Sequence, residues 1–393
     1  MSFLIGTSIF LPQSHFLPVF PWSFLLLGVL FLANCIIQKV PIKFRLNVKA
    51  SALPIIITAV YICFILITSQ RLTSSIYLAS SILCLPLMIF LAKRKMASIY
   101  RYSVFFLYLN LCAALFELPF VLSDSSFDVF FIKPADAVIS GQDYYRFRGF
   151  SLEPNHLGIS LCVIYLVIID KLFDLRATAK KQKIISLLII WFLAYLTVSM
   201  YTLFMLGLIS LIFTWNKIRI VGPVLLLICT SFLATDLGRI DDITSGQDNS
   251  ANLRTWGALY LGYKQIERCG LTGCGLGSAR VILEDEPEMD LFAAKELNGL
   301  PNLMANAMVE GGVILPIIYL FLIYQVSFCR VNQFRVGKRN VNLACFIILL
   351  SMVFSGSHLY DPTIWIVSGY LFLYRKMGSN NTSAIVNGRV MQW

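Results

Sequence analysis

Charge is what this chain has least of. Only 13% of its 393 residues are charged, against 58% apolar, and the mean hydropathy is +0.76. A water-soluble surface needs far more charge than that, which excludes a string of ordinary soluble domains. Other absences narrow the field further. No GxxxxGK[ST] phosphate loop occurs, which excludes ATP hydrolysis by the chain itself. No Cys/His grouping has metal-ligand spacing, so neither a metal nor another cofactor is expected. Period-2 alternation is missing as well, and with it an outer-membrane barrel.

What is present is apolar sequence in blocks. A helix needs about 20 apolar residues to cross a hydrocarbon core of about 30 Å. Runs that meet or approach this length are 17–38, 51–69, 75–92, 98–122, 155–173, 184–199, 201–214, 219–236, 302–326, 341–356 and 361–374. In lipid every backbone amide must be satisfied internally, so runs of this length have to be helices. The expectation is an all-α, polytopic integral membrane protein of about eleven spans, or twelve if residues 1–16 also insert. No small-residue cleavage site follows the first apolar run, which reads as an anchor.

Basic residues set the orientation. Alternate loops carry Lys39 to Lys49, Lys93 to Arg101, Lys171 to Lys183, Lys217 and Arg219, Arg330 to Arg339, and Arg375 to Arg389. These hold 22 of the 32 Lys and Arg, with only Asp170 and Asp174 among them; the rest of the chain has 10 basic and 19 acidic residues. The +11 net charge is therefore a topology signal and not a nucleic-acid footprint. Parity also decides the ambiguous stretch 184–214. One span there would put Arg330–Arg339 outside, so two short helices broken near Ser199 are expected. The organisation that follows is 1–122 N-terminal membrane helices, 123–154 first outer loop, 155–236 central helices, 237–301 second outer loop, and 302–393 C-terminal helices with a cytoplasmic tail.

Polar material large enough to build a site is confined to the two outer loops. The first ends in Arg146-Phe147-Arg148-Gly149-Phe150-Ser151-Leu152-Glu153-Pro154-Asn155-His156. Pro154 suits the first turn of a helix, and free amides with the dipole make such a start attractive to anions. Arg146 and Arg148 just upstream fit phosphate recognition, or equally an interfacial cap with arginines reaching to headgroups. His156, alone at this helix start, reads as structural. The second loop carries Arg239, Arg254-Thr255-Trp256, Arg280 and the glycine-rich Gly270-Leu271-Thr272-Gly273-Cys274-Gly275-Leu276-Gly277-Ser278. Those glycines permit a simple turn or close approach to a ligand. Cys269, just before this segment, and Cys274 within it can form a disulfide in an oxidising compartment. Asn302, Asn306 and Glu310 share one face of the next helix, facing either a cleft or a neighbouring helix. His358 and Asp361 share the turn before the last span, as partners or as ordinary turn residues.

Taken together, the Arg146–Asn155 segment, Arg254-Thr255-Trp256 leading to Gly273–Ser278, and Asn302 followed by Gly312 resemble the O-antigen polymerase and ligase superfamily, Wzy-type polymerases in particular. The resemblance implies a glycosyltransferase of the bacterial inner (cytoplasmic) membrane, with both long loops periplasmic. Its donor and acceptor would be polyprenyl-diphosphate-linked oligosaccharides, joined into O-antigen or a similar surface polysaccharide. Membrane lipid and a chain-length regulator protein are the other partners implied; nucleic acid is not. Stabilising a departing diphosphate calls for fixed arginines, which by carry-over makes Arg148 and Arg254 the leading catalytic candidates. Arg146, Arg239 and Arg280 come behind them as substrate-binding residues, together with Asn155, His156, Asn302, Asn306 and His358. Glu153 or Glu310 would orient or deprotonate the acceptor hydroxyl.

The chain departs from the superfamily in two places. Ligases carry a His directly before the Asn, where this chain has Pro301, and an expected Ser-Arg pair is Ser199-Met200. The first departure favours a polymerase over a ligase that passes glycan to lipid A–core, and leaves His156 or His358 as substitutes for the missing base. A flippase or other transporter, the remaining alternative, should place charges mid-span. Apart from Asn110, Glu117 and Glu310, this chain keeps its charged and strongly polar residues at the ends of its spans, against a transporter.

Overall fold

The computed structural model describes residues 27–32, 72–92, 96–123, 129–132, 145–151, 153–172, 180–214, 258–279, 302–328, 338–355 and 361–386, with positions 63, 67 and 69. The described chain is mostly helical: α1 (Leu72–Ala92), α2 (Met96–Leu122), α3 (Pro154–Leu172), α4 (Lys180–Leu196), α5 (Met200–Thr214), α6 (Ala258–Cys269), α7 (Leu303–Gly311), α8 (Ile314–Phe328), α9 (Lys338–Ser355) and α10 (Thr363–Val386). Strands β1 (Phe131–Ile132) and β2 (Arg146–Phe147) form one antiparallel pair between α2 and α3. The runs 17–38 and 51–69 fall mostly, and 1–16 and 219–236 wholly, outside the described residues, as does most of the loop 237–301.

Among the described residues, three stretches are long and apolar enough to cross a membrane: Thr73–Leu91, Tyr100–Leu122 and Pro154–Leu172. Shorter apolar stretches make up most of α5, α8 and α9. Outward faces display Phe116, Leu188, Ile317 and Phe354, an apolar exterior compatible with a lipid surround. The core forms around α3, where every residue from His156 to Ile169 is buried. A helix hydrophobic on all sides has to be enclosed by others.

The chain reverses direction at Thr197–Ser199, where the charge parity calls for a break. Thr202 lies against Gly158 and Cys162, and Ser210 against Tyr165. So α5 runs with α3, while α4 runs against it: Lys183 at the start of α4 donates to the Lys171 carbonyl at the end of α3. Val198 turns the corner at φ 48°, an uncommon conformation for a β-branched residue. A second break corrects the expectation of one span over 302–326. There the helix stops at Gly311, and α8 begins at Ile314.

At the end of the bundle away from the β pair, the basic residues assigned to the cytoplasm are tied into the core. Lys171 stands 3.4 Å above the Tyr100 ring, Tyr374 donates to Asp170, and Arg375 donates to Asn342 Oδ1 at 2.7 Å and to the Val326 carbonyl.

Close packing of α3 on α5 rests on one glycine. A Cβ at Gly158 would stand 1.9 Å from Thr202 Oγ1. Gly158→Ala should therefore destabilise the protein by about 1–3 kcal/mol, read as a lower thermal midpoint in detergent. The Thr202 hydroxyl makes no hydrogen bond, so Thr202→Ala alone should be nearly silent, and in the Gly158→Ala background it should recover most of the loss.

Candidate functional site

The first loop is built into the bundle rather than laid over it. Glu117, buried near the end of α2, accepts hydrogen bonds from the amides of Val129 at 2.8 Å and Phe130 at 2.5 Å. Phe131 and Phe147 face each other across the strand pair with ring centroids 5.0 Å apart, both buried. Asn110 donates to the Phe106 carbonyl and accepts from the Phe150 amide. At Gly149, φ is +55° and a Cβ would come 2.0 Å from Asn110 Oδ1, so only glycine fits this approach. Asn110 and Glu117, read from the sequence as mid-span polar residues, thus fasten the loop.

This anchoring fixes both arginines. Arg146 donates from Nε to the Thr197 carbonyl at 3.0 Å and from Nη2 to Asn155 Oδ1 at 3.3 Å. Ser199 Oγ donates to the same Asn155 oxygen at 3.1 Å. A cation on the carbonyl that ends α4 satisfies a group the helix leaves open. Arg148 turns back to the Val129 carbonyl through Nε and Nη2.

Pro154 is the first residue of α3, and Glu153 caps the turn, its carbonyl accepting from the amides of His156 and Leu157. His156 is not isolated. Its Nε2 lies 3.2 Å from Asp361 Oδ2, with the two side chains only 2% and 1% exposed. The approach is close enough to pair charges but bent away from hydrogen-bond alignment, and His156 Nδ1 has no partner. Asp361 Oδ1 meanwhile accepts from the Thr363 amide at 2.8 Å and from its hydroxyl, which ties down the start of α10. Sequence proximity had suggested His358 for Asp361; His358 lies outside the described residues.

Around this pair stand further buried polar groups. Tyr319 on α8 packs against Trp365 on α10, ring centroids 5.4 Å apart. Neither the Tyr319 hydroxyl nor the Trp365 indole nitrogen has a well-formed hydrogen bond. Tyr319 is within electrostatic reach of Asp361 and of Glu310 at the end of α7. Glu310 and Asn306 are both buried, as their place on one helix face requires. Asn302, the third residue of that stripe, is spent on the backbone: it is the N-cap of α7, and its Oδ1 accepts from Met304 and Ala305.

The glycine-rich segment docks on the break between α7 and α8. Amides of Cys274 and Gly275 donate to the carbonyls of Val309 and Glu310, each at 2.9 Å, and Val313 donates back to Leu271 at 3.1 Å. These bonds fill carbonyls that a helix end would otherwise leave bare. Contact is backbone on backbone. A Cβ at Gly273 (φ +85°) would lie 2.3 Å from Gly312 N, and one at Gly312 (φ +66°) 2.1 Å from the Leu271 carbonyl. The disulfide Cys269–Cys274 closes the segment. The close approach these glycines allow is to the chain's own backbone.

Of the residues singled out in the sequence, Arg146, Arg148, Glu153, Asn155 and His156 gather at the start of α3, and Asn302, Asn306 and Glu310 follow one another along α7. Arg239, Arg254 and Arg280 lie outside the described residues. Compared with known proteins, the chain matches no family model, no curated protein and no solved structure.

The docked segment makes two measurable claims. In denatured protein, Cys269 and Cys274 should resist alkylation until a reductant is added, then take up two labels. Gly312→Ala should lower the thermal midpoint by the equivalent of about 1–3 kcal/mol, with Gly28→Ala, where a Cβ meets nothing, as the unaffected control.

Proposed function

We propose that this protein is a glycosyltransferase of the bacterial inner membrane that polymerises polyprenyl-diphosphate-linked oligosaccharide repeats on the periplasmic face. About eleven spans form the scaffold, with both long loops outside. The reaction breaks the bond between the donor sugar's anomeric carbon and its diphosphate, whose oxygen keeps the electron pair. A hydroxyl of the acceptor repeat attacks that carbon and gives up its proton. The leaving group carries its own driving force, in keeping with a sequence that has no nucleotide loop.

The observation that carries this reading is the fixing of two arginines just before α3: Arg146 on Asn155 and the open helix-end carbonyl of Thr197, and Arg148 on the Val129 carbonyl of the loop that Glu117 fastens. Arginines held in place before the charge develops are what a departing diphosphate needs, because no reorganisation remains to be done during the reaction. They stand eight and six residues before Pro154, at a helix start whose free amides also favour anions. Arg254 is the partner proposed from the second loop, with Arg239 and Arg280 beside it.

A null strain tests the class of reaction. It should still cap its lipopolysaccharide core with one repeat unit; a core with no repeat at all would hand the assignment to a ligase or a flippase. Arg148→Ala and Arg254→Ala should each abolish or shorten long chains at unchanged protein level. Lys at either position should restore them only in part, because a point charge does not replace the planar fork. Normal banding from both Ala variants would refute the diphosphate assignment.

A further inference from the structure

Cations gather where the start of α2, the end of α3 and the start of α4 meet. Lys171 stands over the Tyr100 ring, and Lys183 donates from Nζ to the Lys171 carbonyl at 3.3 Å. Arg101 follows Tyr100 in α2, and Lys180 and Lys181 open α4, all three exposed. Among the described residues no carboxylate forms an ion pair with any of these five. Asp170 is within electrostatic reach of Lys171 and accepts a hydrogen bond from the Tyr374 hydroxyl. In sequence, the segments 93–101 and 170–183, whose ends meet here, hold nine Lys and Arg against Asp170 and Asp174.

We propose that this corner of the bundle binds the phosphate headgroup of an anionic phospholipid, whose acyl chains lie along the exposed apolar faces of α2 and α4. The inference needs only that these helices span a membrane, so it stands apart from the glycosyl-transfer reading. The topology proposed above puts the lipid in the cytoplasmic leaflet.

A basic rim at a membrane surface has an ordinary explanation, in which lysines set the orientation and reach with their heads to water. Two features here go beyond it. The first is crowding. Lys171 and Lys183 are both half-buried and within electrostatic reach of each other. Like charges held together repel, and more strongly as water is excluded. An anion between them turns that repulsion into attraction. Each ammonium is also fixed in place, one by an aromatic ring and the other by a helix-end carbonyl. The pair is therefore set before a ligand arrives, which lowers the cost of binding.

The second feature is what lies beneath the charges. On a helix, residues three, four and seven apart share a face. Lys181, Ile184, Ile185 and Leu188 follow that spacing along α4, and all four are exposed. Arg101 and Phe105, both exposed, repeat the four-residue step on α2, which packs on α4. Each track runs from an exposed cation to exposed apolar side chains within about one helical turn. That is the order of groups in a phospholipid, headgroup first and chains after it. A free phosphate would use the cations alone and leave the apolar tracks unused.

Full-length protein in a neutral detergent would be titrated with phosphatidylglycerol, and the first binding event read by native mass spectrometry as an apparent Kd. Phosphatidylcholine and inorganic phosphate are the parallel titrants. Phosphatidylglycerol should bind about tenfold or more tightly than phosphatidylcholine, and inorganic phosphate at the same concentration should not displace it. Equal affinity for the two lipids overturns the proposal. Displacement by inorganic phosphate overturns the lipid assignment in favour of a free anion.

Variants locate the site. Lys183→Glu sets a carboxylate beside Lys171 and so supplies the counter-ion from within. It should keep or raise the thermal midpoint in plain detergent while weakening phosphatidylglycerol about 30-fold, the effect of two unit charges near an anionic headgroup. Lys180→Gln with Lys181→Gln removes two charges from exposed positions. It should weaken binding to a similar extent, and it tests the site even where Lys183→Glu fails to fold. Lys338→Gln with Arg339→Gln takes two charges from the start of α9, at the same end of the bundle, and should change the Kd by less than about threefold. Unchanged binding in folded Lys183→Glu or in the Lys180–Lys181 variant overturns the site, as does an equal loss in the α9 variant.

Discussion

A helix enclosed on every side has no solvent to fall back on, and α3 is such a helix. From His156 to Ile169 its residues are buried, so any polar group it carries must find its partner within the protein. Most of the helix avoids the problem by being apolar. The exception is its first turn, where His156 enters the core as a titratable ring. Asp361 meets it there, and Asp361 is in turn fixed by the start of α10. Much of the described architecture follows from supplying that turn: α10 must begin beside it, α8 must bring Tyr319 near, and the first loop must close over it.

The two helix breaks obey the same rule. Interrupting a helix in an apolar surround exposes carbonyls, which is tolerated only where something else bonds to them. At Thr197 the partner is the Arg146 guanidinium. At Val309 and Glu310 it is a pair of backbone amides from the glycine-rich segment. One break is satisfied by a charge and the other by backbone. In both, the satisfying group comes from a polar loop, so each loop is a structural component of the bundle as well as the place where chemistry is proposed.

This explains which features were legible in the sequence. Helix content, the start at Pro154 and the break near Ser199 follow from local patterns: apolar run length, proline position and alternating charge. The break at Gly311–Gly312 was hidden, because the run 302–326 is apolar enough for one span and its interruption depends on a distant loop docking there. Asn110 and Glu117 were visible as anomalies, but their purpose was not, since their partners are backbone amides that no side-chain pattern marks. Asn302 looked like part of a stripe when its oxygen is spent on a cap. The pairing of His156 with Asp361 was out of reach for a similar reason. Each residue has a commonplace reading by itself, and only the packing of α10 against α3 brings them together. The nearer His358 was the natural but local suggestion.

The order in which the chain is made gives the His156–Asp361 contact a further significance. The imidazole is synthesised at the start of α3 and the carboxylate just before α10, with six described helices emerging between them. Until the last of these arrives, the first turn of α3 carries a polar ring with no counterpart, and the central helix cannot be sealed at that end. The same holds for Arg146, whose carbonyl acceptor at Thr197 is made later than the arginine itself. Nascent chains would therefore hold the start of α3 open at this face until α10 is made. In such a protein α10 acts as a keystone, and a chain cut short before it would carry an unfinished polar breach and not be a smaller working version of the whole.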